Sequence, residues 1–200
     1  MKAVSRRSRI AVFASGAGSN LGAILEHFDR LGGERAGDVV LVISDRATAG
    51  ALERARTRGI STVVLQDVSD SAAIIALLSA ARVDLIALAG YIRLLPATVV
   101  AEYRNRVLNV HPAPLPRFGG HGMYGRRVHE AVLAAGASES GVTVHFVDEE
   151  YDHGAVLAHW PVPVLPGDTA ETLAQRVLAA EHLVYPRILE MVAALTPPRN

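Results

Sequence analysis

The chain has no cysteine, one lysine (Lys2), a net charge of +0 and an aromatic content of only 5%. Each shortage removes a class of function. Without cysteine there is no disulfide scaffold, no thiolate zinc site and no cysteine nucleophile. Balanced charge leaves no basic footprint for general nucleic-acid binding. Trp160 and the tyrosines read as core or surface aromatics, not as a base-stacking platform. Arginine in place of lysine reads as a coding bias without functional content. The longest apolar runs, 72–78 and 85–89, fall far short of the ~20 residues a membrane span needs. Residues 1–10 are basic like the start of a signal peptide, yet the apolar run 10–14 is too short to continue one and meets Ser15-Gly16. The expectation is a cytoplasmic protein with no membrane and no nucleic acid among its partners.

What the chain does have is apolar mass and alternation. Half of its 200 residues are hydrophobic, enough for a sizeable core. One domain over 1–200 is expected, with 1–8 and 196–200 loose. Short, continuously apolar β-rich runs fall at 9–14, 38–43, 61–65, 84–88 and 106–110. Helical patterns separate them at 19–31, 48–58, 70–81 and 96–103. Strand–helix–strand repetition predicts a parallel sheet with right-handed crossovers. Past about 120 the pattern changes to a helix (123–135), two strands (141–148 and 154–163) and a long helix from Thr169 to about Ala194. The fold class is therefore α/β: a single-domain, Rossmann-like, mostly parallel twisted sheet with helices on both faces, closed by a C-terminal β-hairpin and a long helix.

The first strand ends in 15–21 (SGAGSNL), immediately before a helix. Glycines let the backbone approach an anion, and free N–H groups with the helix dipole attract it. Ser19 and Asn20 suit an N-cap or oxygen-binding position. Leu21 stands where a dinucleotide fingerprint needs glycine, and no Gly-Lys-Ser/Thr follows. The loop thus suggests a single phosphate; a plain tight turn with a capped helix is the alternative.

The fifth strand run continues into Asn109-Val110-His111-Pro112. Residues two apart in a strand share a face, so an amide and an imidazole stand side by side at the ligand-binding edge of the sheet. Pro112, Pro114 and Pro116 stiffen the loop that follows, and one of its X-Pro bonds is a candidate for cis. Asp152, in a turn between two strands, is a candidate third member. Amide and imidazolium stabilise an oxyanion, and a carboxylate supports the imidazolium and moves protons. No G-x-S-x-G elbow is present, so direct attack by a substrate amine suits this set better than an acyl-enzyme. A capping histidine and an ordinary turn aspartate are the structural alternatives. The other histidines, His145 included, read as packed or hydrogen-bonded, and no spacing suggests a metal site.

Taken together, 15–21 (SGAGSNL), 88–95 (LAGYIRLL), 108–116 (LNVHPAPLP), 141–152 (GVTVHFVDEEYD) with Gly154, and 181–186 (EHLVYP) resemble the folate-dependent formyltransferase family, in its order and over nearly the whole chain. The resemblance implies formyl transfer from 10-formyltetrahydrofolate, a co-substrate, to the amine of glycinamide ribonucleotide in purine synthesis. It implies no metal and no permanently bound cofactor, and a monomer or homodimer acting on small molecules. By match, Gly18, Ser19 and Asn20 hold the phosphate, Asn109, His111 and Asp152 are catalytic, and Glu181 lies near the glycinamide end of the acceptor. Ile92, Arg93, Leu94 and Leu95, with Asn109, Val147, Asp148 and Asp152, fall on the folate pocket.

Departures from the family pattern are Pro114 in place of leucine, a longer 119–127 segment (GGHGMYGRR) and no arginine within 66–73 for the folate tail. Glycines 119, 120, 122 and 125 make that segment a candidate mobile loop. Competing readings are a 10-formyltetrahydrofolate hydrolase, another folate-dependent formyltransferase, a nicotinamide dehydrogenase (disfavoured by Leu21) and a non-catalytic binder of folate or phosphometabolites.

Overall fold

A computed structural model describes residues 6–199. Seven strands form one sheet in the order β3-β2-β1-β4-β5-β6-β7. They are β1 (Ser8–Phe13), β2 (Gly37–Ser44), β3 (Ser61–Val64), β4 (Leu85–Leu88), β5 (Val107–His111), β6 (Glu139–Phe146) and β7 (Val156–Pro163). The first five pair in parallel, while β6 and β7 pair antiparallel. The expected mostly parallel sheet with its C-terminal hairpin is thus what forms. Six α-helices join it: α1 (Ser19–Leu31), α2 (Gly50–Arg56), α3 (Ser71–Ala80), α4 (Ala97–Glu102), α5 (Arg126–Ala134) and α6 (Ala170–Leu195).

The apolar run of β1 is continuous because both faces of the sheet are covered. Ile10, Val12 and Ala14 pack into a core with Leu21, Leu52, Val128 and Leu189 from α1, α2, α5 and α6. Ala11 and Phe13 point the other way, into a core with Ile74, Leu78 and Val99 from α3 and α4. At roughly 25 cal/mol per Å², such burial is the main force closing the layers. Tyr185 of α6 is fully buried and donates its hydroxyl to the Leu88 and Leu108 carbonyls at 3.0 and 3.1 Å, fixing the long helix under β4 and β5.

The chain turns one way from β1 to β2 and the other way from β1 to β4. The loops after β1 and β4 therefore part, which opens a crevice at the strand C-termini. Across it Ser15 N–H donates to the Gly90 carbonyl at 3.1 Å, and Ile92 N–H donates to Ser15 Oγ at 3.2 Å.

Two expectations need correction. The N-cap of α1 is Gly18, in the left-handed region with φ 74°, and Ser19 is the first helical residue. A Cβ at Gly18 would lie 2.6 Å from Ala51 Cα, so α2 packs directly on the loop and leaves no room for a capping side chain. The C-terminal residues 196–199 are held in place. Arg199 N–H donates to the buried Asp84 at 2.6 Å, its guanidinium lies 4.1 Å from the Tyr103 ring centre, and Arg106 donates to the Pro197 carbonyl at 2.8 Å. Asp84 also accepts from Arg6 at 3.0 Å, and Ser8 is already in β1. Residues 1–5 and 200 of the expected loose termini lie outside the described residues.

Candidate active site

β5 delivers Asn109 and His111 to the crevice, as the two-residue spacing requires. Asp152 arrives from the turn between β6 and β7, held at φ 55°, a left-handed conformation uncommon for a residue with a side chain. The three meet. Asp152 Oδ2 lies 3.4 Å from His111 Nδ1 and accepts from Gly120 N–H at 3.0 Å. Asp152 Oδ1 accepts from Asn109 Nδ2 at 3.3 Å. The peptide bond Leu115–Pro116 in the loop after β5 is cis.

The hydrogen bonds assign protons. His111 Nε2 donates to the Phe118 carbonyl at 2.8 Å while Nδ1 faces the carboxylate, so only the imidazolium satisfies both nitrogens. Burial opposes that charge and holds His111 below its usual range, although Asp152 and the Phe118 carbonyl pull it up. Burial would likewise raise Asp152, but nearby His145 and His111 and the Gly120 N–H outweigh it, and the carboxyl stays below its usual range.

His145 belongs to this cluster, which the sequence reading missed. It is 1% exposed, and it faces Asn109 across the β5–β6 pair. Its Nδ1 donates to the Phe146 carbonyl at 2.7 Å, and its Nε2 lies 3.1 Å from Asn109 Nδ2 and 3.6 Å from Asp152 Oδ1. The ring thereby packs against both the Asn109 amide and the Asp152 carboxylate. The signal was the strand register, which a single sequence does not display. His129 of α5 is a second omission: it is buried, its Nδ1 has no partner, and burial and then His111 lower its pKa.

These groups open onto a cavity of about 670 Å³. Ile92, Arg93, Leu94, Leu95 and Val147 line it. So do Gly120–Arg126 of the glycine-rich segment, and Asn20 and Glu181 at the far end. Asp148 does not: its carboxylate is turned away to His153 Nδ1 (2.6 Å) and Glu150 N–H (2.9 Å), beside a smaller cleft of about 300 Å³. Gly18 and Ser19 also lie off the cavity lining, behind Asn20. Asn20 does not point its amide at a phosphate. Nδ2 donates to Glu181 Oε2 at 2.5 Å, and its Oδ1 is buried without a partner. Burial pushes the Glu181 carboxyl up to about 7 against the pull of that amide. Arg93 donates to the Asp45 carboxylate at 3.2 Å, with Arg46 3.8 Å from the same oxygen. Among the described residues no group of three or more histidine and acidic side chains is gathered as for a metal ion.

The geometry suits transfer at a carbonyl. A polar cluster able to hold one positive and one negative charge sits between an apolar-walled pocket and a helix N-terminus. The 3.3 and 3.4 Å contacts are long for hydrogen bonds, so an incoming oxygen can take them over.

The family model described as formyl transferase matches residues 8–189. The chloroplastic phosphoribosylglycinamide formyltransferase of Arabidopsis thaliana is 44% identical over 201 residues, covering 97% of this chain and 67% of that protein. A trifunctional purine biosynthetic protein of Drosophila melanogaster is 45% identical over 195 residues, 94% of this chain but 14% of that one. The chain thus spans about two thirds and one seventh of these relatives. A crystal structure of glycinamide ribonucleotide transformylase 1 from Symbiobacterium toebii superposes with TM-score 0.85 at 40% identity, covering 94% of this chain and 88% of that one.

Proposed function

The chain belongs to the formyl transferase family, and on that premise we propose that it moves the formyl group of 10-formyltetrahydrofolate to the amine of N1-(5-phospho-D-ribosyl)glycinamide in purine biosynthesis. The observation that carries this reading is the Asn109–His111–Asp152 cluster at the junction of the 88–95 pocket and the Asn20–Glu181 end of the same cavity.

In this reading the folate lies against Ile92, Arg93, Leu94, Leu95 and Val147. The ribonucleotide phosphate sits on the N–H groups of Gly18, Ser19 and Asn20 at the start of α1. Glu181 receives the glycinamide end. The amine lone pair attacks the formyl carbon, and the C=O electron pair moves onto oxygen. The Asn109 amide and the His111 imidazolium stabilise that oxyanion. Collapse breaks the bond to N10, which takes up a proton as the attacking nitrogen loses one. Asp152 favours the charged form of His111 and relays the proton through water. Asp148 acts through its loop backbone. The protein works in the cytoplasm as a monomer or homodimer, on small molecules, with no permanently bound cofactor.

The test is turnover of 10-formyltetrahydrofolate with the ribonucleotide, with the dephosphorylated acceptor, and with no acceptor. Release of deformylated folate is followed by absorbance and the formylated product by mass. Turnover with the ribonucleotide alone is expected. Equal turnover without acceptor means a hydrolase, and folate binding without turnover means a binder.

A further inference from the structure

The glycine-rich segment after β5 touches both members of the His–Asp pair. Phe118 offers its carbonyl to His111 at 2.8 Å, and two residues later Gly120 N–H donates to Asp152 at 3.0 Å. Between them, a Cβ on Gly119 would lie 2.9 Å from Asp152 Cβ and would overlap Leu115 Cδ2. Gly120 itself has φ 100°, a conformation side chains rarely take. At the tip His121 meets Tyr151 edge-on, with ring centres 5.6 Å apart, one residue before Asp152. Asp152 needs such support, since its φ of 55° costs energy that neighbouring contacts must offset.

We propose that the Gly120 backbone amide is a positioning group for the Asp152 carboxylate, and that Gly119 is glycine so that this amide can reach it. The 119–121 segment thereby sets the charge of the pair as well as enclosing the cavity. The inference rests on the role given to Asp152 above. The titratable groups around Asp152 are His111 on β5, His145 on β6, His129 on α5 with His111 as neighbour, and His121 and Tyr151 at the loop contact. Gly120 N–H favours the ionised carboxyl. Moving it away raises the pH at which Asp152 ionises, and a displaced carboxylate lowers the pH at which His111 loses its charge. The pH profile of turnover then narrows from both sides.

The variants are Gly119→Ala and the double variant Leu115→Ala/Gly119→Ala, in which the Leu115 overlap is gone and the Asp152 overlap remains. Leu115→Ala is the control, and folate affinity and Tm confirm a folded protein. The expected result is a roughly tenfold lower kcat and limbs displaced inward by about half a pH unit each, in Gly119→Ala and the double variant but not in the control. A lower profile of unchanged width in the folded double variant overturns the proposal. In the unaltered protein the Gly120 amide proton is expected to titrate with the acid limb of turnover, and to lose that titration in Asp152→Asn. A Gly120 amide that does not respond to pH also overturns the proposal. Normal turnover by Asp152→Asn removes the reading of Asp152 itself, a separate failure.

Discussion

At the residue scale the proposed chemistry rests on two groups at which burial and neighbours compete. At Asp152 the donors outweigh burial and hold the carboxyl below its usual range, whereas at His111 burial outweighs the pull of Asp152 and the Phe118 carbonyl, so the imidazolium that those two acceptors favour gives up its proton more readily than a free one. Asp152→Asn and His111→Asn are each expected to lower kcat by about 10²–10³, with folate and acceptor KM nearly unchanged. Steady-state kinetics with both substrates checks this, and near-normal kcat in either variant would refute the assignment. Glu181 is a different case, because burial raises it to about 7 from its ordinary 4.5. A carboxyl raised on folding binds its proton more tightly in the folded state. Its contribution is favourable below about pH 4.5 and is lost as pH rises to about 7, at an order-of-magnitude cost of about 3 kcal/mol. Glu181→Gln is therefore expected to gain Tm over the parent as pH increases from 5 to 8, while acceptor KM rises. Melting curves across that range decide it, and a Tm difference independent of pH would contradict the buried-carboxyl account.

At the element scale, helix starts do the positioning. α1 begins on a glycine because α2 fills the space where a side chain would stand. Gly18→Ala carries both the left-handed cost and the overlap with Ala51, about 2 kcal/mol or more. It is expected to raise acceptor KM more than folate KM, because the displaced N–H groups are those proposed for the phosphate. Equal effects on both substrates would argue against that placement. α6 begins on Thr169, whose Oγ1 accepts from Thr172 N–H at 3.3 Å while Thr172 Oγ1 accepts from Thr169 N–H at 3.0 Å. Thr169→Ala is expected to cost about 1 kcal/mol in denaturant unfolding. Both kinetic constants should stay unchanged, since the cap satisfies only local N–H groups.

At the scale of the whole molecule, the two ends of the described chain meet at Asp84, fully buried at the N-terminal end of the central strand β4, away from the cavity at the strand C-termini. It takes N–H donors from Arg9 and Arg199 and the guanidinium of Arg6. Removing residues 197–200 withdraws one donor from a buried carboxylate and uncovers Tyr103. A loss of about 1–3 kcal/mol is expected, read as a lower Tm with unchanged kcat. A deletion that altered kcat instead would show that the tail reaches the site.

Much of this molecule was legible in its sequence, for reasons that are local. The apolar runs of β1 and β4 appear because a strand covered on both faces has almost no polar positions to break it. Residues 19–31 read as a helix from their 3.6-residue pattern, and α1 occupies that span. The spacing of Asn109 and His111 forced them onto one face, and the Gly-rich turn announced a strand-to-helix junction. What stayed hidden depends on partners distant in sequence. His145 becomes part of the cluster only through its register with Asn109, 36 residues away. Asn20 is bound to Glu181, 161 residues on. The cap passed from Ser19 to Gly18 because of Ala51, and the tail is held by a carboxylate 115 residues earlier. The sequence alone settled which elements form and which side chains share a face, because those follow from periodicity and backbone sterics. Only the tertiary structure decided which donors and acceptors are already taken, and therefore where charge resides, because burial and hydrogen-bond satisfaction are set by neighbours that only the folded chain brings together.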